Sequence, residues 1–154
     1  MPELVFAPDD LSGAATRDLV AHHLTGMHAS TPAENVFALD IDGLRHPDVT
    51  FFSARIGEEV VAIGALKSLD SGNGELKSMR VADGHLGTGA GRAMLRHLVS
   101  VARDRGMRTL WLETGTPDDF LPARRLYESE GFVECGAFGD YPENTFSVFM
   151  MRAL

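Results

Sequence analysis

Four glycines fall within eight residues, Gly84-His85-Leu86-Gly87-Thr88-Gly89-Ala90-Gly91, and this loop constrains the fold more than any other feature of the chain. Before it, Glu75 to Val81 alternates imperfectly and reads as a strand. After it, Met94, Leu98, Val101 and Ala102 form one helical stripe, with Arg92, Arg96 and Arg103 opposite and Gly106 as the stop. A strand feeding a helix through glycines lets backbone adopt positive φ and approach a ligand closely. The helix N-terminus adds unpaired N–H groups and a positive dipole end. Together these make a site for a phosphate or pyrophosphate.

Three kinds of phosphate loop fit that context. The P-loop needs Gly-Lys-Ser/Thr, which is absent. The dinucleotide fingerprint needs G-x-G-x-x-G, and counting from Gly87 or Gly89 puts Arg92 or Met94 at the third glycine. Glu113 does supply an acid at a strand end about 20 residues on, so an NAD(P)-dependent oxidoreductase stays as an alternative. The third is an acyl-CoA loop.

The rest of the chain supplies the surroundings. Leu4 to Phe6 reads as a strand, with Asp9 or Asp10 as an N-cap for a helix carrying Ala14, Leu19, Val20, Leu24 and Met27. Thr31-Pro32-Ala33-Glu34 reads as a capping box for a second helix, with Val36, Leu39 and Leu44 inside and Gly43 as its stop. Val49 to Ala54 and Val60 to Leu66 form a hairpin around Gly57-Glu58-Glu59. Leu110 to Leu112, Phe132-Val133 and Ser147 to Met150 are short strands, and Pro117 to Glu130 is a helix closed by Gly131. The expected architecture is one α/β (α+β mixed) domain over residues 1–154: a mixed, mostly antiparallel sheet of about six or seven strands flanked by about four helices.

Charge and cysteine content narrow the partners. A net charge of −8 disfavours nucleic acid, which wants a basic face, and mildly favours a cationic partner. No apolar run approaches the roughly 18 residues of a membrane span, and Met1 to Asp10 lacks the basic and apolar regions of a signal peptide. The single cysteine, Cys135, permits no internal disulfide, which fits the cytoplasm. His22, His23 and His28 lack the i, i+4 spacing of a helical metal pair, so no metal is expected. They are candidates to line an acceptor pocket.

Two motifs in the right order carry a resemblance. Val81 ends a strand and Gly89-Ala90-Gly91 opens a helix; then come Leu110-Trp111-Leu112-Glu113, Ala123-Arg124-Arg125-Leu126-Tyr127-Glu128, and Gly131-Phe132. Over residues 74–135 the chain resembles the GNAT superfamily of N-acetyltransferases. Leu86 stands where that family usually has Gln or Arg, and Phe120 where many members have Asn.

The resemblance implies acetyl-CoA as co-substrate and a small-molecule or peptide amine as acceptor; homodimers are common in the family. It implies that the main chain of Met79, Arg80 and Val81, the loop Leu86, Gly87, Thr88, Gly89, Ala90, Gly91 and Arg92, and Phe120 contact the cofactor. It also implies that Tyr127 protonates the departing thiolate, which a phenol near pKa 10 suits. Glu75 and Glu113 compete as the base that activates the amine, directly or through water. A non-catalytic acyl-CoA sensor is the other alternative. The turn-rich loop Asp140-Tyr141-Pro142-Glu143-Asn144 offers acids that suit a cationic amine.

Overall fold

The computed structural model describes residues 3–154. In chain order it contains β1 (Val5–Pro8), α1 (Ala14–Ser30), α2 (Ile41–Leu44), β2 (Val49–Ile56), β3 (Glu59–Ser68), β4 (Asn73–Val81), α3 (Ala90–Asp104), β5 (Thr109–Gly115), α4 (Leu121–Ser129), β6 (Val133–Cys135) and β7 (Ser147–Ala153). The seven strands form one sheet in the order β1-β2-β3-β4-β5-β7-β6. Every neighbouring pair is antiparallel except β4–β5. The mixed, mostly antiparallel architecture read from the sequence is the observed one. The doubly wound parallel sheet on which dinucleotide sites are built is not this topology.

Strand alternation divides the apolar side chains between two cores. Met94, Leu95, Leu98 and Ala102 of α3 are fully buried against Phe52, Ala54, Leu66, Leu76, Leu110 and Leu112. On the opposite face Leu19 and Val20 of α1 pack with Leu44, Phe51, Ile63 and Ala65. Over β4, β5 and β7 that second face is covered by aromatic side chains from loops: Phe138 packs on Trp111 and Phe149, and Tyr141 on Phe149. The sheet is thus walled by helices on both faces, with a loop-covered stretch where β4 meets β5.

The second helix is shorter than its capping signal suggests. α1 runs on to Ser30, so Thr31 becomes its extended C-cap and its hydroxyl is buried without a partner. Only one 3-10 turn follows, at Ala33–Asn35. Phe37 then packs edge-on against Tyr141, with ring centroids 5.2 Å apart, and the chain around it stays extended. Asp40 caps the four-residue α2 by accepting from the Gly43 N–H at 2.9 Å, so Gly43 lies inside a helix rather than ending one. Asp9 and Asp10 do not cap α1 either. Asp9 accepts from the Leu11 N–H (2.8 Å) and the Thr16 hydroxyl (2.9 Å), organising the loop before Gly13, the N-cap.

Candidate active site

The parallel pairing of β4 with β5 covers only Asn73–Leu76 and Thr109–Leu112. Beyond it the two strands part. β5 continues to Gly115 paired with β7, and β4 continues to Val81 paired with β3. The cause is visible in the register of β4 against β3. Between the pairs Ala65–Lys77 and Ile63–Arg80, β4 carries Ser78 and Met79 where β3 carries Gly64 alone. An extra residue bends the bulged strand and raises its local twist. Ser78 absorbs the bend at a φ of +55°, an uncommon value for a residue with a side chain. One edge of β4 from Lys77 to Val81 is left without a strand partner.

A cleft of about 210 Å³ opens at this splay. Its floor is β4 from Glu75 to Arg80 and β5 from Leu112 to Thr114; its walls are α1, Phe37 and α4. Met79, Arg80, Phe120, Tyr127, Glu75, Glu113 and His23 all line it, so seven candidate site residues named from the sequence share one cavity. The ring of Phe120 packs directly over Gly115 at the end of β5.

The glycine loop lies at the end of the splay. Gly87 and Gly89 have φ of +74° and +89°, the left-handed region that costs any other L-residue roughly 1–2 kcal/mol. Thr88 donates its hydroxyl to the His85 carbonyl at 2.6 Å, and His85 bonds Glu59 at 3.1 Å, tying the loop to the β2–β3 hairpin. Gly89 is the N-cap of α3 and supplies no side-chain cap; the Ala93 N–H is bonded to the Gly89 carbonyl. The N–H groups of Ala90, Gly91 and Arg92 therefore belong to an uncapped first turn, the arrangement that accepts an anion. Gly91 packs on Val81 and Leu126, while Leu86 is 64% exposed. Arg92 turns away from the loop: it bonds Glu130 at 2.7 Å, and Arg96 meets the same carboxylate at 2.9 Å. Those two bonds clamp α3 to the end of α4.

The two glutamates have different surroundings. Glu75, 3% exposed, accepts from the Lys77 ammonium at 3.2 Å and from the Tyr141 hydroxyl, and Lys77 also bonds that hydroxyl at 2.7 Å. Burial and the adjoining Glu75 push the Tyr141 phenol far up, so it keeps its proton. Glu113 stands on β5 without such a triad. Burial pushes its pKa up to about 7, against the pull of Ser147 and Lys77 and with the help of Glu75. Tyr127 is 7% exposed and held edge-on by Phe132 at 5.8 Å; burial, with the charge of Glu113 second, pushes it up to about 12.

Sequence reasoning missed Lys77, which lines this cleft beside Glu75. Lys77 was legible as the same-face neighbour of Glu75 two residues along a strand. His23, 8% exposed, lines the cleft, whereas His22 pairs with Asp83 at 3.2 Å and His28 is exposed. In the loop before β7, Tyr141 turns inward while Asp140 and Glu143 are exposed, so its acids are not what the loop brings to the cleft. A second cavity of about 280 Å³ adjoins, sharing Phe37 and Glu75 and lined further by Phe138 and Tyr141. Burial and Glu134 raise the Cys135 thiol, which suits no nucleophile. Among the described residues no group of three His, Cys, Asp or Glu is placed to hold a metal, and no helix is long and apolar enough to cross a membrane.

Residues 16–132 match the model of the acetyltransferase (GNAT) family. The chain belongs to that family. As a GNAT protein it is 46% identical over 146 residues to the uncharacterized N-acetyltransferase YsnE of Bacillus subtilis (strain 168), covering 95% of this chain and 97% of that one. Among solved structures, one assigned as an acyl-CoA N-acyltransferase from Klebsiella pneumoniae superposes with a TM-score of 0.81 at 26% identity, over 100% of this chain and 99% of that one. A GNAT acetyltransferase from Elizabethkingia anophelis with acetyl-CoA bound superposes over the full length of both chains, with a TM-score of 0.73 at 16% identity. Acetyl transfer from acetyl-CoA is the activity of that family.

Proposed function

We propose that this protein transfers the acetyl group of acetyl-CoA directly to a primary amine of a small molecule or peptide in a ternary complex. One observation carries the reading. The free edge of β4, Glu113 and Tyr127 share one splayed cleft, and the uncapped first turn of α3 packs on Val81 at the end of that edge. The loop Leu86 to Arg92 takes the phosphates on its N–H groups, and the main chain of Met79 to Val81 takes the pantetheine arm and the acyl carbonyl. Leu86 costs this arrangement little, because main-chain donors do the binding there. Phe120 closes the cofactor end of the cleft.

The thioester supplies an activated acyl carbon; the remaining steps belong to the protein. Glu113 takes a proton from the acceptor ammonium, directly or through a water. The amine nitrogen forms its bond to the carbonyl carbon and the carbon–sulfur bond breaks. Tyr127 gives its phenolic proton to the departing thiolate and is restored by the second proton that the attacking nitrogen sheds as it becomes an amide, so one proton, taken by Glu113, passes on to solvent. Glu113 fits the base better than Glu75 because a base works best with a pKa near the operating pH. Glu75 already accepts from Lys77 and Tyr141.

Thermal unfolding with acetyl-CoA, CoA, NAD or NADP tests the cofactor class. A ligand at 100 times its dissociation constant stabilises the fold by roughly 2.7 kcal/mol. The expected result is a rise in Tm with acetyl-CoA and CoA and none with NAD or NADP. A rise with the dinucleotides alone contradicts the reading. Strong binding of acetyl-CoA with no turnover of any amine points instead to an acyl-CoA sensor.

A further inference from the structure

Among the described residues Arg80 is the one cation lining the cleft that has no counter-ion. Lys77, the other, is matched by Glu75 at 3.2 Å and the Tyr141 hydroxyl at 2.7 Å. Among the described residues Arg80 forms no ion pair; its polar contact is a long hydrogen bond of 3.4 Å from Nη2 to the His22 carbonyl, and its Nε is buried with no partner. Beside it His23, 8% exposed, buries Nδ1 with no partner. Buried donors are almost always satisfied, and leaving one unmade costs roughly 1–3 kcal/mol. Arg80 Nε is such a donor, and the neutral His23 ring beside it, able to donate from one nitrogen, is a second group on the same cleft wall without a partner at Nδ1.

The direction of the wall separates this pair from the cofactor. Val81 lies under Gly91 of α3, so its neighbour Arg80 emerges on the opposite face of β4, toward α1. There the guanidinium lies against Gly26, where an added Cβ would fall on Nη2. The glycine loop and α3 are on the other side of the strand. Burial, with Arg80 and His22 adding to it, holds His23 down to about 4, so its ring is neutral at pH 7 and Arg80 carries the charge.

Resting on the acetyltransferase reading, we propose that the acceptor is an amino carboxylic acid: its carboxylate is received by the Arg80 guanidinium and by an N–H from His23, and its amine faces Glu113. Arginine presents paired N–H groups that match a carboxylate, a geometry lysine does not offer. The main chain of Arg80 keeps its place along the pantetheine arm; its side chain reads the acceptor.

The test is binding of acetylated products to the CoA-loaded protein, which needs no turnover. N-acetylphenylalanine is paired with N-acetylphenethylamine, and N-acetylleucine with N-acetylisopentylamine. The acid of at least one pair is expected to bind ten- to a hundredfold tighter than its partner, as hydrogen bonds to a charged group imply. Arg80→Gln is expected to remove that preference. Gly26→Ala, a substitution that favours a helix, displaces the guanidinium and is expected to weaken the same preference if Arg80→Gln fails to fold. Acids that bind no tighter than their partners, no binding by any member, or a preference that survives both variants overturns the inference. Thiol release with the free amines separates the two levels. Turnover of phenethylamine and phenylalanine at equal kcat/KM sinks the carboxylate site alone; acetyl-CoA binding without turnover of any amine sinks the transferase reading beneath it.

Discussion

Glu113→Gln is expected to lower kcat/KM by roughly 10²- to 10⁴-fold, the range that a positioned general base contributes. The pH profile is the sharper readout. With its carboxyl pushed up to about 7 by burial, wild type works as a base only once deprotonated, so its rate rises with pH through about 7. The groups facing Glu113 set that midpoint: Ser147 and Lys77 pull it down, and Glu75 pushes it up. Glutamine cannot titrate, so the rising limb near pH 7 is lost in the variant. Stability moves the other way. A carboxyl whose folded value lies above the ordinary 4.5 stabilises the fold fully below that pH, and the contribution is lost as pH rises through 7. At pH 8 the wild type holds a buried charge that glutamine avoids. The variant is therefore expected to be about 2 kcal/mol more stable there by denaturant unfolding, with a smaller gain at pH 5. A variant equally active, with the same limb, removes Glu113 from the reaction and returns the role to Glu75 or water.

Tyr127→Phe is expected to lower kcat by a comparable 10²- to 10⁴-fold while acetyl-CoA affinity changes less than threefold, a loss confined to the transition state. The structure explains the split. The ring is buried against Phe132, and phenylalanine keeps that packing. What disappears is a phenol whose pKa stands near 12, protonated at every working pH and able to pass its proton to a thiolate. Since no limb of the profile below pH 9 belongs to Tyr127, the variant keeps the wild-type shape while losing height. An unchanged kcat makes Tyr127 a core aromatic with a structural role only.

The parts of this architecture that were legible in the sequence are those governed by local chemistry. Gly89 announces the positive φ of the loop, and the stripe through Met94 and Leu98 announces the buried face of α3. The β-formers from Val49 to Ala54, the turn at Gly57-Glu58-Glu59 and the apolar run from Val60 to Leu66 announce the β2–β3 hairpin. What the residues alone did not disclose depends on contacts distant in sequence. The capping box at Thr31 to Glu34 is locally sound, yet α1 extends through it and Phe37 is drawn to Tyr141, more than a hundred residues away in the chain. The bulge at Ser78 and Met79 has no residue signal, because Ser78 is neither glycine nor asparagine; it follows from how β3 and β4 share a register. The proposed choice of Glu113 over Glu75 rests on Lys77 and Tyr141: strand alternation puts Lys77 beside Glu75, but the Tyr141 contact comes from a loop 66 residues away and has no local signal.

The central claim is direct acetyl transfer to an amine in the splayed cleft, and the most direct measurement follows both products at once. Purified protein is mixed with acetyl-CoA and a panel of primary amines, including amino acids and peptides; free thiol is followed optically and the acetylated amine by mass spectrometry. The account predicts one acetylated amine per CoA released, no acetyl group left on the protein, and loss of both products together in the Glu113→Gln, Tyr127→Phe double variant. Thiol release without acetylated amine, an acetylated protein in the absence of acceptor, or a double variant as active as wild type contradicts it.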